Sequence, residues 1–237
     1  MQLAHDNIDA VHSDAAIYAS RLPLDGAVIV ELGCGSAVHT RAIAAEGRDR
    51  RVIAFEVDRI QHARNVADNA LPNVEFRYGG AERIDLADAS VDVVMMFKSL
   101  HHVPLAALDA ALGEVARVLR PGGLLYVSEP IFAGAFNDVI RLFHDEQAVR
   151  QAAFDALVRA VDAGTLELVE EVFFLSPVHF DDFADFERRI IHATHTEHRL
   201  DARTLGCVRR AFEPHLGPAG AAFLAPMRVD ILRRPTR

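Results

Sequence analysis

Several things are scarce in this sequence, and each scarcity removes a class of protein. Two cysteines in 237 residues, Cys34 and Cys207, cannot build a disulfide framework. No apolar run approaches the ~18 residues that a membrane-spanning helix needs. The opening stretch MQLAHDNIDAVHSD lacks the basic start and apolar centre of a secretory leader. Together these predict a soluble, cytoplasmic protein with no membrane partner. Glycine and proline number 14 and 10, too few for a collagen-like or low-complexity chain. No internal repeat is present. Hydrophobic residues make up 51% and charged residues 25%, a globular balance that excludes wholesale disorder.

Basic residues are also in deficit. The net charge of −9 and the absence of a recognisable nucleic-acid module disfavour nucleic acid as a partner. The deficit is uneven, because eight arginines against Asp201, Glu213 and Asp230 give the segment 199–237 a local net of +5. A solvated basic face accounts for that more simply than a polyanion site. Lysine occurs once, as Lys98, and the other 24 basic residues are arginine.

What is present is a rhythm of short β-rich runs and amphipathic stretches. Residues 27–32, 50–57, 73–78, 91–97 and 124–130 read as strands; 37–47, 58–70 and 105–120 read as helices. Asp58 suits a helix N-cap. Strand, helix, strand in this order predicts an α/β fold with a mainly parallel, doubly wound sheet. Beyond residue 130 the pattern changes. Helices are predicted over 134–164, 181–200 and 201–216, a sixth strand over 166–175, and a long closing strand over 221–234, bulged near Pro226. No linker separates the halves. The expectation is one domain: an N-terminal helical segment (1–26), a ligand-binding core (27–130), helices and a strand that could cap the site (131–220), and the closing strand (221–234). Asn7 to Tyr18 is predicted as a helix over the mouth of the site, with His12 or Tyr18 facing it.

Ligands of such a sheet bind at the carboxyl ends of its strands. VIVELGCGSAVHT (28–40) carries a strand into a turn through Gly33, Cys34, Gly35 and Ser36 and then into a helix. Two glycines permit a sharp bend, and the helix start offers N–H groups to an anion. Glu56, at the end of the second strand, is placed to grip ribose hydroxyls. A nicotinamide-type turn wants a third glycine where this chain has Val38, which counts against a dinucleotide oxidoreductase.

Five segments in order, ELGCGS, FEVD, GGAERIDLADASVDVV, LHHV and LRPGGLLYVSEP, resemble those of class I S-adenosylmethionine-dependent methyltransferases over roughly residues 28–130. The resemblance implies a Rossmann-like methyltransferase fold of seven strands whose last strand is antiparallel. It implies S-adenosyl-L-methionine as cofactor. Gly33, Cys34 and Gly35 would hold its methionine part, with Glu31 near the amino group. Glu56 would take both ribose hydroxyls, with Val57 beside it. Ala81 and Glu82 would border the adenine, and Lys98 and Ser99 would flank the methionine side. Family members often carry Asp where this chain has Gly80, which leaves adenine recognition to Glu82 or to backbone groups. Transfer would be an in-line displacement driven mainly by positioning, onto a small-molecule methyl acceptor. Its rivals are a non-catalytic cofactor binder, an RNA or protein methyltransferase, and a nicotinamide oxidoreductase. Homo-oligomerisation stays open.

His101 and His102 are the candidate catalytic bases, since they follow the fourth strand at the cofactor end. No metal is expected. His192, His195 and His198 stand at spacing three, which fans side chains across about 120° of a helix and does not converge them on one ion. Cys34 lies near a helix start that could lower its thiol pKa. Phe132, Phe136, Phe143 and Phe154 read more simply as core than as an acceptor pocket.

Overall fold

The structure is a computed structural model that describes residues 1–236 apart from Asp6 and residues 193–198. Eight strands form one sheet, β1 (Val28–Leu32), β2 (Arg51–Glu56), β3 (Val74–Tyr78), β4 (Val91–Phe97), β5 (Leu119–Pro130), β6 (Glu167–Phe180), β7 (Leu216–Gly217) and β8 (Gly220–Arg233). Their order is β3-β2-β1-β4-β5-β8-β6, with the short β7 paired to β8. β1 to β5 are mutually parallel, and β8 runs antiparallel to both β5 and β6. The chain winds outward from β1 to β3 and then crosses back to β4. The gap between β1 and β4 is therefore the switch point at which such sheets bind ligands.

The helices are α1 (Asp14–Arg21), α2 (Val38–Ala45), α3 (Arg59–Ala67), α4 (Leu108–Val118), α5 (Ala135–Ile140), α6 (Gln147–Asp162), α7 (Phe183–Phe186) and α8 (Ala202–Phe212). Alternation along the strands divides the core. Val30, Ile53, Val94 and Met96 pack with α4 and α6, whereas Ile29, Val52, Val93 and Met95 pack with α1 and α2. β4 is buried at every position but Asp92, as a strand covered on both faces must be. Asp58 does cap α3, accepting from the N–H groups of Ile60 at 2.8 Å and Gln61 at 3.3 Å.

A third apolar cluster lies outside the main sandwich. β6 and β8 pair past the end of β5, from Leu175 against Pro226 to Phe180 against Ala221. This two-stranded extension exposes a face that Phe183, Phe186, Val208 and Phe212 cover, joined by Val139 of α5. It anchors α5, α7 and α8 above the carboxyl end of the parallel strands.

Several expectations need correction. The N-terminal helix begins at Asp14, capped by Ser13, and not near Asn7. Tyr18 faces no opening; it is fully buried, edge-on to Phe97 and Tyr126. Pro121, Gly122 and Gly123 do not end before β5 but lie inside it, because Gly122 donates to Arg234 and so joins the β8 end of the ladder. The irregularity in the closing pair falls between Leu168 and Glu170, and not at Pro226. Pro226 sits past the last β5–β8 pair, where the ladder asks for no N–H on that side. The helix foreseen over 181–200 is short: α7 is followed by one π turn over Glu187–Ile191. His195 and His198 lie outside the described residues.

Candidate functional site

The glycine turn sits at the carboxyl end of β1. Gly33 and Gly35 have φ of +72° and +52°, a region that side chains disfavour. Gly33 and Cys34 both donate to the carbonyl of Phe55, at 3.0 Å each, which pins the turn to β2. The two glycines do different things. A Cβ at Gly33 would lie 2.7 Å from Ser99 Cβ, so this glycine lets β4's end approach β1. A Cβ at Gly35 would meet nothing within 4 Å, so that glycine borders open space. Ala37, itself left-handed at φ +60°, starts α2 without a side-chain cap. The first N–H groups of α2 are thus left without an acceptor from the cap residue, in the position where an anionic group gains most.

Glu56 closes the turn from the β2 side. Its Oε2 accepts from Gly35 N–H at 2.7 Å, and its Oε1 accepts from Val57 and Asp58 N–H at 2.8 and 2.9 Å. Three of the roughly four acceptor sites of a carboxylate are therefore engaged by backbone. Val57 follows with its apolar side chain 57% exposed beside that carboxylate. Sequence reasoning missed Asn65 of α3, whose amide donates to the Gly35 carbonyl at 2.7 Å and to Cys34 Sγ at 3.6 Å. Its signal was an asparagine on the buried side of an otherwise polar helix.

Glu31 is 1% exposed and accepts from the Thr40 hydroxyl. Burial pushes its carboxyl up to about 7, with the Thr40 hydrogen bond opposing and the nearby Glu56 adding to the rise. Between the ordinary value of 4.5 and about 7, the folded chain holds a proton that the unfolded chain has released. Stability should therefore fall as pH rises through that window and level off above it. Glu31→Gln should remove the slope and leave the variant more stable than the parent by roughly 2 kcal/mol at pH 8, with no difference at pH 4. Urea denaturation at both pH values checks this; equal stabilities at pH 8 would disprove it. Burial likewise raises the Cys34 thiol above its ordinary range, so the helix start does not activate it.

Ala81 is buried in the α4-side core, and Glu82 is exposed next to it. The carboxylate of Glu82 folds over Gly80, where a Cβ would lie 2.3 Å from Oε2. Beyond β4, Lys98 adopts φ +54° and donates its N–H to Ser128 at 2.7 Å. Ser99 donates its hydroxyl to the Leu32 carbonyl at 2.7 Å. These two bonds fix the crossing from β4 to the histidines against β1 on one side and β5 on the other.

His101 and His102 do not share an environment. His101 is buried, with Nδ1 hydrogen-bonded to Glu129 and Nε2 3.4 Å from Glu146 Oε1; His102 is exposed. Burial alone would depress the His101 imidazole, but the two carboxylates outweigh it and hold its pKa at about 9. Glu146 is held below the carboxylate range: burial would raise it, but His101 and Arg150 prevail. The sequence offered little sign of Glu129 or Glu146. Glu129 stood in LLYVSEP as a strand-end acid, and Glu146 fell within the stretch read as helical (134–164), where the structure breaks the helix between α5 and α6.

These residues border a cavity of about 230 Å³ lined by Lys98, His101, His102 and Glu146 on its polar side, and by Phe136, Ile140, Phe143 and Met227 on its apolar side. Phe136 and Phe143 thus line a pocket that the sequence favoured as core, and Phe132 lies instead beneath Arg141 and Arg150. Phe154 packs under the Arg228 guanidinium at 4.5 Å. Among the described residues, no helix is long and apolar enough to cross a membrane.

Comparison with known proteins bears on the domain and its fold. A family model described as a methyltransferase domain matches residues 29–123. A proposed S-adenosylmethionine-dependent methyltransferase of Mycolicibacterium smegmatis is 38% identical over 109 residues, 44% of this chain and 38% of that protein. An arsenite methyltransferase of Halobacterium salinarum is 31% identical over 152 residues, 61% of this chain and 38% of that protein. The chain thus spans well under two thirds of the length of either relative. The crystal structure of a proposed methyltransferase from Bacillus halodurans C-125 superposes over 95% of this chain and 100% of its own, with a TM-score of 0.66 at 19% identity, which shows a shared fold. Residues 29–123 thus match a methyltransferase domain, and the whole fold, with its antiparallel closing strand, is shared with the Bacillus halodurans structure.

Proposed function

We propose that the chain binds S-adenosylmethionine across the carboxyl ends of β1 and β2 and methylates a small molecule seated in the cavity beyond β4. Adjacency carries this reading. Ser99 packs against Gly33 of the turn, while its neighbours Lys98 and His101 line the cavity, so the two compartments meet at one residue.

The residues fit the cofactor. Open space at Gly35 and the uncapped start of α2 suit the carboxylate of its methionine part. Glu31, buried and raised in pKa, would gain from an ammonium group nearby, which favours its ionised form. Glu56 supplies carboxylate oxygens for ribose hydroxyls, sharing or exchanging the Gly35 hydrogen bond to do so. Val57 offers an exposed apolar surface to a base, and Glu82 is exposed in the segment after β3.

When bound, the cofactor supplies a methyl group already activated on sulfonium. The protein's task is then to hold an acceptor in line and keep water out. His101 is a poor base in this arrangement, because it is protonated near neutral pH and both ring nitrogens face carboxylates. It acts as a positioning residue between β5 and the cap. His102 faces the cavity and is the better-placed of the pair to meet an acceptor. Apolar walls beside Lys98 and Arg189 suit an acceptor with an apolar body and an anionic or hydroxyl end. The small volume supports a small molecule over a protein or RNA. Arsenite does not carry over from the relative. A soft metalloid wants thiolates, and Cys34 and Cys207 both lie away from the cavity.

Calorimetry with S-adenosylhomocysteine and with NADH tests the cofactor, and S-adenosylhomocysteine release across a panel of small hydroxy and carboxylic acids tests the transfer. One-to-one binding of the first nucleoside and product release with at least one acid are expected. Binding of NADH instead, or turnover only on RNA or protein, would overturn the reading. His102→Ala should leave S-adenosylhomocysteine affinity within about twofold, since it lies on the acceptor side; a larger loss would move His102 into the cofactor site.

A further inference from the structure

The cavity holds a cluster whose donor set goes beyond what orienting an acceptor requires. One ligand atom each from His101, His102 and Glu146 lies within 4.8 Å of the other two. The Nε2 of His101 and the Oε1 of Glu146 are 3.4 Å apart. Bonds of about 2.0–2.1 Å around a tetrahedral ion place neighbouring donors roughly 3.4 Å apart, so one edge of such a site is already set.

The donors are also braced from behind. Glu129 takes the His101 Nδ1 hydrogen bond, and its other oxygen is fixed by Leu100 N–H at 2.9 Å. This leaves Nε2 as the nitrogen turned toward Glu146, and an ion bound there would displace the Nε2 proton to solvent. A carboxylate behind an imidazole is the arrangement that orients metal-bound histidines and raises their basicity. Glu146 is braced in the same way. Its Oε2 is held by Arg150 at 2.6 Å, which turns Oε1 toward the histidines. His144 Nε2 lies 2.8 Å from that same Oε1 and is the nearest further donor. His101 and Glu146 are buried, while His102 is exposed and lines the cavity with them.

We infer that His101, His102 and Glu146 form a site for a borderline divalent transition-metal ion of the zinc class, with a remaining coordination position open to the cavity. Two imidazoles and a carboxylate suit zinc, cobalt or nickel better than calcium or magnesium, which want oxygen donors. Three protein ligands with one open position is the pattern of a site that also takes water or substrate. The expectation of no metal came from spacing along the chain. Spacing could not show it, because Glu146 reaches the histidines only through the cap. The site stands apart from the methyl-transfer reading, since a chain that binds no S-adenosylhomocysteine could still bind the ion.

Untagged full-length chain titrated with Co²⁺, followed by its visible ligand-field spectrum, and with Zn²⁺ in competition, tests this. One ion per chain is expected. His102→Ala, at an exposed position, and Glu146→Gln should each weaken binding at least tenfold with the circular dichroism spectrum unchanged. Glu129→Gln should weaken it about tenfold, acting through the orientation of His101. His62→Ala, on α3 beside β2 and β3 and away from the cavity, should change nothing. Failure of either ion to bind stoichiometrically, or binding that survives both His102→Ala and Glu146→Gln in folded protein, would overturn the inference.

Discussion

Gly33→Val should unfold the protein or leave it roughly 3–6 kcal/mol less stable, more than most domains can lose. Two separate penalties add. A branched residue at φ +72° is held in a backbone region it strongly disfavours. Its Cβ would also lie 2.7 Å from Ser99 Cβ, and Ser99 cannot retreat because its hydroxyl is tied to the Leu32 carbonyl. The resemblance sets this glycine against the cofactor's methionine part; in the fold a side chain here first meets β4's continuation. The two penalties can be separated. Gly33→Ala combined with Ser99→Gly should recover part of the stability lost by Gly33→Ala alone, leaving only the backbone strain. Urea denaturation of the three variants checks this, and no recovery in the double variant would show that the Ser99 contact is not limiting. Any folded Gly33→Val protein should fail to bind S-adenosylhomocysteine in calorimetry.

Glu56→Ala should weaken S-adenosylhomocysteine binding by about 1.5–3 kcal/mol, which is ~10–150-fold, through loss of charge-assisted hydrogen bonds to the ribose. The fold adds a second consequence. Gly35, Val57 and Asp58 lose their common acceptor, so the unliganded chain should also lose stability, by about 1–3 kcal/mol. Glu56→Gln keeps one oxygen and the side-chain shape but loses the charge, and should fall between parent and Ala in both respects. Calorimetry and thermal denaturation run together check the pair. Unchanged affinity in Glu56→Ala would remove the carboxylate from cofactor recognition, whatever the stability did.

These two residues also show how much could be read in advance. Glycines at 33 and 35 and an acid at 56 were visible because each is a backbone requirement or a strand-end position, and such requirements are local. What each glycine relieves was not visible. Gly33 answers to Ser99, 66 residues on, and Gly35 to open space, a distinction that depends on the packing of β4 against β1. Tyr18 was misplaced for the same reason. Its helix was legible, but the face it turns inward is decided by Phe97 and Tyr126 on strands β4 and β5.

The histidines mark the boundary most clearly. LHHV after the fourth strand pointed to a reactive place, yet not to different fates for adjacent residues. His101 turns into a pair of carboxylates from β5 and the cap, and His102 stays exposed on the cavity wall. Alternation, turn glycines and strand-end acids are short-range signals set by backbone geometry, so the order of elements and the parallel core followed from the chain as written. The cavity beyond β4, the Glu129–His101–Glu146 arrangement and the placement of Phe136 and Phe143 did not. They arise where β6 and β8 overrun β5 and carry the cap over the strand ends, and such long-range packing has no period to betray it.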